Sequence, residues 1–329
     1  MQKELSVKTY MTRARAVLQD QDQTKSFLNN VKNFLLNVLR ALILIGVGYV
    51  ILSPVIGIVV NSISSNKDAV NPMVFVLPQF PTLEKYSLVL VRMDYLPTML
   101  RTMLYTLTLT LLQLFICSMV GYGFARFEFP LKKLLFGCVV IMIVIPSHTI
   151  MLPLYMTFRN LDPFGMISAI TGTTGLMSTI WPMYIMTLLG TGVRSGLYIY
   201  IFNQFFRGLP KEIEEAALVD GCGVWYTYFR IMLINAMPAV ITVAVFSIVW
   251  QFNDTFYAKL FLINENMVIS KKIATLQATI ANNDKILNVT IQELYMDAGI
   301  VLMLLPVVII YLLLQKNFIE GVERSGIVG

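Results

Sequence analysis

Residues 102–124 read TMLYTLTLTLLQLFICSMVGYGF, a run of 23 residues without a charged side chain. A helix needs about 20 predominantly apolar residues to cross the hydrocarbon core of a bilayer. Because that core offers no water to unpaired backbone groups, an apolar run of this length crosses it as a helix. The stretch therefore predicts a transmembrane α-helix and places the chain among membrane proteins.

The composition extends this prediction to most of the chain. Of its 329 residues, 57% are hydrophobic and only 13% are charged, whereas soluble domains carry about 25% charged residues. Five further runs are apolar and long enough to span a membrane: about 36–60, 134–156, 181–206, 232–260 and 294–315. We predict an all-α membrane protein with about six transmembrane helices.

The run at 181–206 differs from the others because it is interrupted. Gly190, Gly192 and Arg194 fall in its middle. Glycine weakens a helix interior, and a charged side chain inside a span is costly. This segment is therefore either a hairpin or a broken helix.

The basic residues predict how the chain is oriented. They concentrate in four regions, 1–35, 126–133, 207–230 and 316–324, which fall on one side of the membrane if there are six spans. Cytoplasmic loops carry an excess of Lys and Arg, so we expect both termini in the cytoplasm. This distribution also explains the net charge of +6 without a nucleic-acid partner.

The same pattern sets the domain boundaries. We expect a cytoplasmic N-terminal tail at 1–35, a transmembrane domain at 36–315 and a cytoplasmic C-terminal tail at 316–329. The N-terminal tail is polar and mixed in charge, so it forms either an amphipathic helix or a disordered segment.

Motifs for enzymatic chemistry are missing from the sequence. The three cysteines form no C-x-x-C pair, and there is a single histidine, His148, which argues against a disulfide framework or a metal site. The sequence also lacks G-x-x-x-x-G-K-[ST], H-E-x-x-H and G-x-S-x-G. We expect no catalytic residue, no metal ligand and no cofactor bound by this chain.

A charged stretch between the fourth and fifth runs needs a separate explanation. Residues 212–221 read EIEEAALVDG. Pro210 favours a first helical turn, glutamates near that turn complement the helix dipole, and Gly221 allows the helix to end. We predict a short helix on the cytoplasmic face, whose small alanines let another surface approach closely. The alternative is an interfacial helix that only connects two spans.

The longer segment 208–240, GLPKEIEEAALVDGCGVWYTYFRIMLINAMPAV, resembles the EAA motif of permease subunits of ATP-binding-cassette (ABC) importers. That motif comprises Glu-Ala-Ala, three residues, Gly, nine residues and Ile-x-Leu-Pro. Ile234 stands where the motif has proline. The matching residues are Glu215, Ala216, Ala217, Asp220, Gly221, Ile231, Leu233 and, as a second proline common in the family, Pro238.

Four other segments carry the same resemblance, which covers about 35–329. They resemble carbohydrate permeases, and most of all the subunit of the maltose-type importer that lacks a large external domain. The long N-terminal tail departs from that pattern. The segments are LPQFPTLEKYS at 77–87, GYGFARFEFPLKK at 121–133, IPSHTIMLPLY at 145–155 and QKNFIEGVERSGIVG at 315–329.

The resemblance implies a mechanism for the loop at about 207–231. It implies that this loop carries a coupling helix, which docks in a cleft of a cytoplasmic ATPase subunit and transmits its closure to the spans. A glutamate would anchor the contact electrostatically, alanines would allow close docking and a glycine would permit the turn. The implied coupling residues are Glu214, Glu215, Ala216, Ala217, Asp220 and Gly221.

The resemblance also implies the assembly. The chain would be a multi-pass protein of the bacterial cytoplasmic membrane that forms half of the translocation pathway for a sugar or oligosaccharide. Its implied partners are a second permease subunit, two ATPase subunits that bind ATP and Mg²⁺, and an extracytoplasmic solute-binding protein.

A polar and aromatic cluster in the fifth run is the candidate substrate pathway. It comprises Trp250, Asn253, Asp254 and Tyr257. Polar groups inside a membrane are costly and usually face a cavity or a partner, and sugars combine apolar ring faces with polar edges. Helical spacing predicts that Trp250, Asp254 and Tyr257 share one face. The alternative is that these residues only join helices or lie at the membrane interface.

A secondary, ion-coupled solute transporter is the alternative function. Such transporters often contain inverted repeats with interrupted helices in both halves. Only the run at 181–206 is interrupted here, and a cytoplasmic docking helix would have no role in such a carrier. The sequence therefore favours a permease subunit of an ABC importer.

Overall fold

In the computed structural model, the described residues are 2–71, 73, 77–171, 175–262 and 268–326. Side chains are described for the same residues apart from 2–30, 164, 170–171 and 313–326. Within these ranges the protein consists of helices, turns and loops without a β-strand, which confirms the predicted all-α class.

The helices follow one another closely along the chain. Short 3₁₀ segments lie at Ser147–Ile150 and Pro163–Gly165, and a π-helical segment at Thr227–Met232. In chain order the α-helices are α1 Gln2–Ile63, α2 Asn66–Ala69, α3 Glu84–Arg92, α4 Tyr95–Arg126, α5 Lys132–Val144, α6 Met151–Arg159, α7 Met166–Thr171, α8 Trp181–Leu188, α9 Ser195–Gly208, α10 Lys211–Val219, α11 Val224–Tyr226, α12 Leu233–Asn235, α13 Met237–Phe252, α14 Phe256–Phe261, α15 Ile269–Asn283 and α16 Val289–Gly326.

The chain divides into two compact units, 1–60 and 61–329. The first unit consists of the N-terminal part of α1. Residues 2–30 of this helix are described only by their helical backbone. From Val31 onward its large apolar side chains are mostly exposed. Exposed apolar side chains are what lipid-facing helix surfaces require, because lipid tails are as apolar as the side chains.

Three single helices are long and apolar enough to cross a membrane: Val31–Ile63, Tyr95–Arg126 and Val289–Leu312. They coincide with the first, second and sixth predicted runs. Two bent helix pairs meet the same criteria together, which gives up to five spans among the described residues. The predicted count of about six and the cytoplasmic placement of both termini stay predictions.

Both bends have a proline at their origin. Lys132–Val144 and Ser147–Arg159 meet at 104°, and Ile145, which precedes Pro146, has an extended backbone because the residue before proline disfavours the helical region. Val224–Asn235 and Met237–Phe252 meet at 77°. There Pro238 lacks the N–H that would continue the helix.

The run predicted at 181–206 is divided into two helices, α8 and α9. Gly190 has φ +72° and Arg194 has φ 58°, so both adopt the left-handed conformation between the end of one helix and the start of the next. The structure thus confirms the predicted interruption, while the choice between a hairpin and a broken helix stays open.

The core of the second unit forms where α4 packs against α9 and α13. Gly121 of α4 permits the closest approach: a Cβ built on it would lie 2.5 Å from the Phe202 Cβ and 3.0 Å from the Asn203 backbone nitrogen of α9. Glycine is therefore required at this helix crossing, since any side chain would push α4 and α9 apart.

Candidate functional site

The predicted short helix at 212–221 is present as α10, Lys211–Val219. Glu212 and Glu214 occupy its first turn, where carboxylates are favoured by the helix dipole. Gly221 has φ +79°. The N–H of Cys222 donates to the Ala217 carbonyl (3.0 Å) and that of Gly221 to the Leu218 carbonyl (3.1 Å). This is the Schellman ending, in which a left-handed glycine lets two terminal carbonyls be satisfied.

Glu214 attaches α10 to the end of α4. The Tyr122 hydroxyl donates to Glu214 Oε1 (2.6 Å), and Arg126 Nε lies 3.3 Å from Glu214 Oε2. Arg126 also donates from its terminal nitrogen to the Leu209 carbonyl just before α10 (2.8 Å). The Arg126 and Glu214 side chains are 5% and 16% exposed. A hydrogen bond to a charged group is about twice as strong as one between neutral groups.

The two faces of α10 differ. Ala217 is buried at 4% exposure, and Ile213 packs against the core cluster that contains Tyr122 and Phe206. The exposed residues of α10 and the turn after it are Lys211, Glu212, Glu215, Ala216, Leu218, Val219, Asp220 and Gly221. Of the six predicted coupling residues, the structure therefore turns Glu214 and Ala217 toward their own chain and leaves Glu215, Ala216, Asp220 and Gly221 accessible.

A π-helical segment, Thr227–Met232, connects this region to α13. Tyr228 in this segment shares a hydrogen bond with Ser118 of α4, with the two oxygens 2.6 Å apart. Its ring also lies 5.1 Å from that of Tyr122. The chain is thus held to α4 both before and after the Gly221 turn.

The prediction that Trp250, Asp254 and Tyr257 share one helix face was wrong, because these residues do not lie on one continuous helix. Helix α13 ends at Phe252 instead of continuing to 260. The Asp254 carboxylate accepts hydrogen bonds from the backbone N–H groups of Tyr257 (3.3 Å) and Ala258 (3.1 Å), so it starts α14 as a separate helix, as short acidic side chains do at helix N-termini.

The four residues also differ in accessibility. Trp250 is 45% exposed, and the Arg194 guanidinium lies 4.3 Å above its ring. Asn253 is exposed, whereas Tyr257 is buried and stacks on Phe261. Trp250 and Asn253 are therefore the members of the cluster that a solute could contact.

A buried amide and hydroxyl network was missed by the sequence reading. Gln113 donates from Nε2 to the Val193 carbonyl (2.6 Å) and to Ser195 (2.9 Å). Its Oε1 accepts from Ser247 (2.8 Å) and Gln251 (3.1 Å). The network joins α4, the α8–α9 break and α13. Gln113 in the second run was the available signal, because a glutamine inside a span needs polar partners.

A match to a protein family identifies the chain. Residues 113–324, more than half of the chain, match the family described as "Binding-protein-dependent transport system inner membrane component". The chain belongs to this family. It is accordingly a multi-pass permease subunit of the cytoplasmic membrane in an ABC importer, and ATP hydrolysis resides in separate subunits.

Curated relatives agree with this assignment. The permease is 27% identical to Protein LplC of Bacillus subtilis (strain 168) over 300 residues, which cover 89% of this chain and 95% of LplC. It is 28% identical over 225 residues to the arabinooligosaccharides transport system permease protein AraQ of Halalkalibacterium halodurans. This match covers 68% of this chain and 71% of AraQ. It is 29% identical over 232 residues to the melibiose/raffinose/stachyose import permease protein MelC of Bacillus subtilis. This match covers 70% of this chain and 75% of MelC.

A solved structure shares the fold. The permease superposes on a chain from the crystal structure of a bacterial ABC transporter that imports the acidic polysaccharide alginate, with a TM-score of 0.67 and 20% sequence identity. The match covers 86% of this chain and 96% of the other. The family, the relatives and this fold give no support to the ion-coupled alternative. They imply in general a partner permease, ATPase subunits and a solute-binding protein.

Proposed function

We propose that this permease forms one half of the membrane pathway for a sugar or oligosaccharide. Three of the proteins it resembles are named for such solutes, arabinooligosaccharides, the melibiose group and alginate. The proposed complex contains this chain, a second permease, two ATPase subunits and an extracytoplasmic solute-binding protein. Residues 1–35 and 316–329 are its proposed cytoplasmic tails, and 36–315 its permease domain.

Helix α10 is the proposed coupling helix. The assignment rests on the difference between the two faces of α10. Glu214, Ala217 and Ile213 hold one face against the permease core. The opposite face is exposed. A helix that transmits force needs both a rigid attachment and a free docking surface. A plain connector between two spans needs neither.

The division of roles follows from the two faces. Glu215 supplies an exposed negative charge to the ATPase subunit, and Ala216 provides a small side chain that permits close approach. Glu214 and Ala217 position the helix. Gly221 sets its end through the left-handed turn.

Trp250 and Asn253 are the proposed contacts of this subunit with the solute. An exposed indole offers a flat apolar face to a sugar ring, and an exposed amide offers donors and acceptors to hydroxyl groups. Arg194 steadies the indole from one side through a cation–π contact. Asp254 and Tyr257 then act as positioning residues at the start of α14.

The test is ATP-dependent uptake of labelled oligosaccharides by the complete complex in proteoliposomes, with Glu215 and with Glu215→Lys. Charge reversal should abolish uptake while the subunits still assemble, because the proposed contact with the ATPase subunit depends on the negative charge of Glu215. The matched control is Glu84→Lys, an exposed glutamate in α3, outside the proposed coupling surface, which should transport normally.

Three results would count against the proposal. One is uptake without ATP, and another is normal uptake by Glu215→Lys. The third is equal loss of uptake in both variants, which would show a general sensitivity to charge instead of a specific role for α10. A panel of sugars in the same assay identifies the solute.

A further inference from the structure

A cavity of about 630 Å³ lies where three helix ends converge, at the C-terminal ends of α4 and α9 and the N-terminal end of α5. Helix α9 packs against both α4 and α5, and the loop at 127–131 closes one side. The residues that line this cavity include no member of the proposed coupling or solute-binding sets, so the cavity is a separate feature.

The polar part of the cavity wall is positively charged. Lys132, Lys133 and Arg207 line it together with one carboxylate, Glu128. A hydrogen bond from Lys132 (2.8 Å), with attraction from the neighbouring cations Lys211 and Arg207, lowers the pKa of Glu128 below its ordinary value. Glu128 is therefore ionised and is matched by Lys132. The three cations and one carboxylate leave two positive charges, those of Lys133 and Arg207, both of which are exposed.

The start of α5 adds to this positive field. The N-cap residue, Leu131, has no side chain that could accept a hydrogen bond from the first-turn N–H groups of this 13-residue helix. Such N–H groups and the positive end of the helix dipole favour an anion, and phosphates are bound in this way at many helix N-termini.

Apart from Asn203, the remainder of the wall is apolar. Phe124 of α4, Leu134 and Phe136 of α5, and Phe129 and Leu131 of the loop between them line the cavity. Asn203 is 1% exposed, and its Oδ1, which has no hydrogen-bond donor among the described residues, is an acceptor, so this atom does not itself contact an anion. The cavity thus combines cations with an apolar wall, as an amphiphile requires.

We propose that this cavity binds the phosphate headgroup of an anionic phospholipid from the cytoplasmic leaflet, an inference that rests on the proposed cytoplasmic position of α10 and the loops beside it. Lys133, Arg207 and the start of α5 hold the phosphate, and the aromatic wall accommodates the first part of the acyl chains. Basic pockets between helices on the cytoplasmic side of membrane proteins bind anionic headgroups. A lipid here contacts the α4–α5 loop and α9 directly before α10, so its presence would steady the attachment of the coupling loop.

The experiment measures lipid retained by the purified complete complex. The complex is extracted, exchanged into vesicles of phosphatidylglycerol and phosphatidylcholine in equal amounts, re-purified and analysed by native mass spectrometry. We expect selective retention of phosphatidylglycerol and, for Lys133→Gln/Arg207→Gln, about thirty-fold weaker retention. The charge-retaining variant Lys133→Arg/Arg207→Lys should bind as the parent protein does, which separates loss of charge from loss of folding.

The matched control is Arg40→Gln/Arg230→Gln, which removes two exposed cations that do not line the cavity. It should retain phosphatidylglycerol like the parent protein. Equal loss in both double variants, or equal retention in both, would overturn the proposal. Competition by millimolar inorganic phosphate with no lipid preference would assign the site to a free anion instead. Loss of ATPase subunits from Lys133→Gln/Arg207→Gln without any change in lipid would assign the surface to a subunit contact.

Discussion

Arg126 at the end of α4 and Glu214 in the first turn of α10 form an ion pair, with Nε 3.3 Å from Oε2. The two residues are 88 positions apart in the chain, yet they connect α4 directly to α10. The Tyr122 hydroxyl completes the attachment from one turn earlier on α4. Through α4, this attachment reaches the packing partners of α4, α9 and α13.

Glu214→Gln should weaken this attachment. The ion pair and the charge-assisted hydrogen bond are replaced by a neutral contact, which should destabilise the region by about 1–3 kcal/mol and lower the amount of sugar moved per ATP hydrolysed. The measurements are the thermal midpoint of the purified complex and the ratio of uptake to ATP hydrolysis. Glu212→Gln, at an exposed position of the same turn, is the control. If the two variants behave alike, the attachment through Glu214 has no role in coupling.

Gly221→Ala should be destabilising for a purely conformational reason. An added Cβ meets nothing within 4 Å, but φ is +79°, and this conformation costs an L-residue about 1–2 kcal/mol. Gly223→Ala is the matched control, because its Cβ also meets nothing within 4 Å and its φ is −70°. A lower thermal midpoint for the first variant alone is the expected result, and equal midpoints would contradict it.

Gly121→Ala should separate α4 from α9. Its Cβ would lie 2.5 Å from the Phe202 Cβ, and overpacking of this kind costs about 1–3 kcal/mol. Gly123→Ala, two residues further along α4, has open space and should be neutral or slightly stabilising, since alanine favours helices over glycine. Thermal unfolding of both variants in detergent tests this difference, and an equal effect would show that the α4–α9 crossing tolerates a side chain at 121.

Gln113→Leu should leave buried polar groups unsatisfied. Gln251 of α13 loses its acceptor and the Val193 carbonyl loses a donor, at about 1–3 kcal/mol for each buried group left without a partner. Ser247 keeps the Thr110 hydroxyl as an acceptor. Gln204→Leu is the control, because that glutamine is exposed on α9. The expected outcome is a lower thermal midpoint and reduced uptake for the first variant only. A fully stable Gln113→Leu protein would mean that the network does not hold the α8–α9 break to α13.

Features determined by local chemistry could be predicted from the sequence. Apolar runs gave the three single spans, and Pro210, the glutamates and Gly221 gave α10. The break near Gly190 and Arg194 was also foreseen, because glycine and charge both oppose a continuous helix inside a span.

Features determined by distant residues could not be predicted. Nothing near Glu214 in the sequence indicates that Tyr122 and Arg126 bind it, so the inward face of α10 was assigned to docking. The end of α13 at Phe252 was missed although its signal is local. Asn253, Asp254 and Thr255 are polar, but apolar residues resume at Phe256, so one helix was predicted across them. The Asp254 carboxylate instead accepts from the N–H groups of Tyr257 and Ala258 and starts a new helix.

The most direct test of the account is photo-crosslinking from α10 in the assembled complex. A photoreactive amino acid at position 216, on the exposed face, should form a product with the ATPase subunit. The same amino acid at position 204, exposed on α9, should form none. Such a pattern would establish α10 as the coupling surface. Absence of an ATPase product from position 216 in a complex that retains its ATPase subunits, or equal yields from both positions, would contradict it.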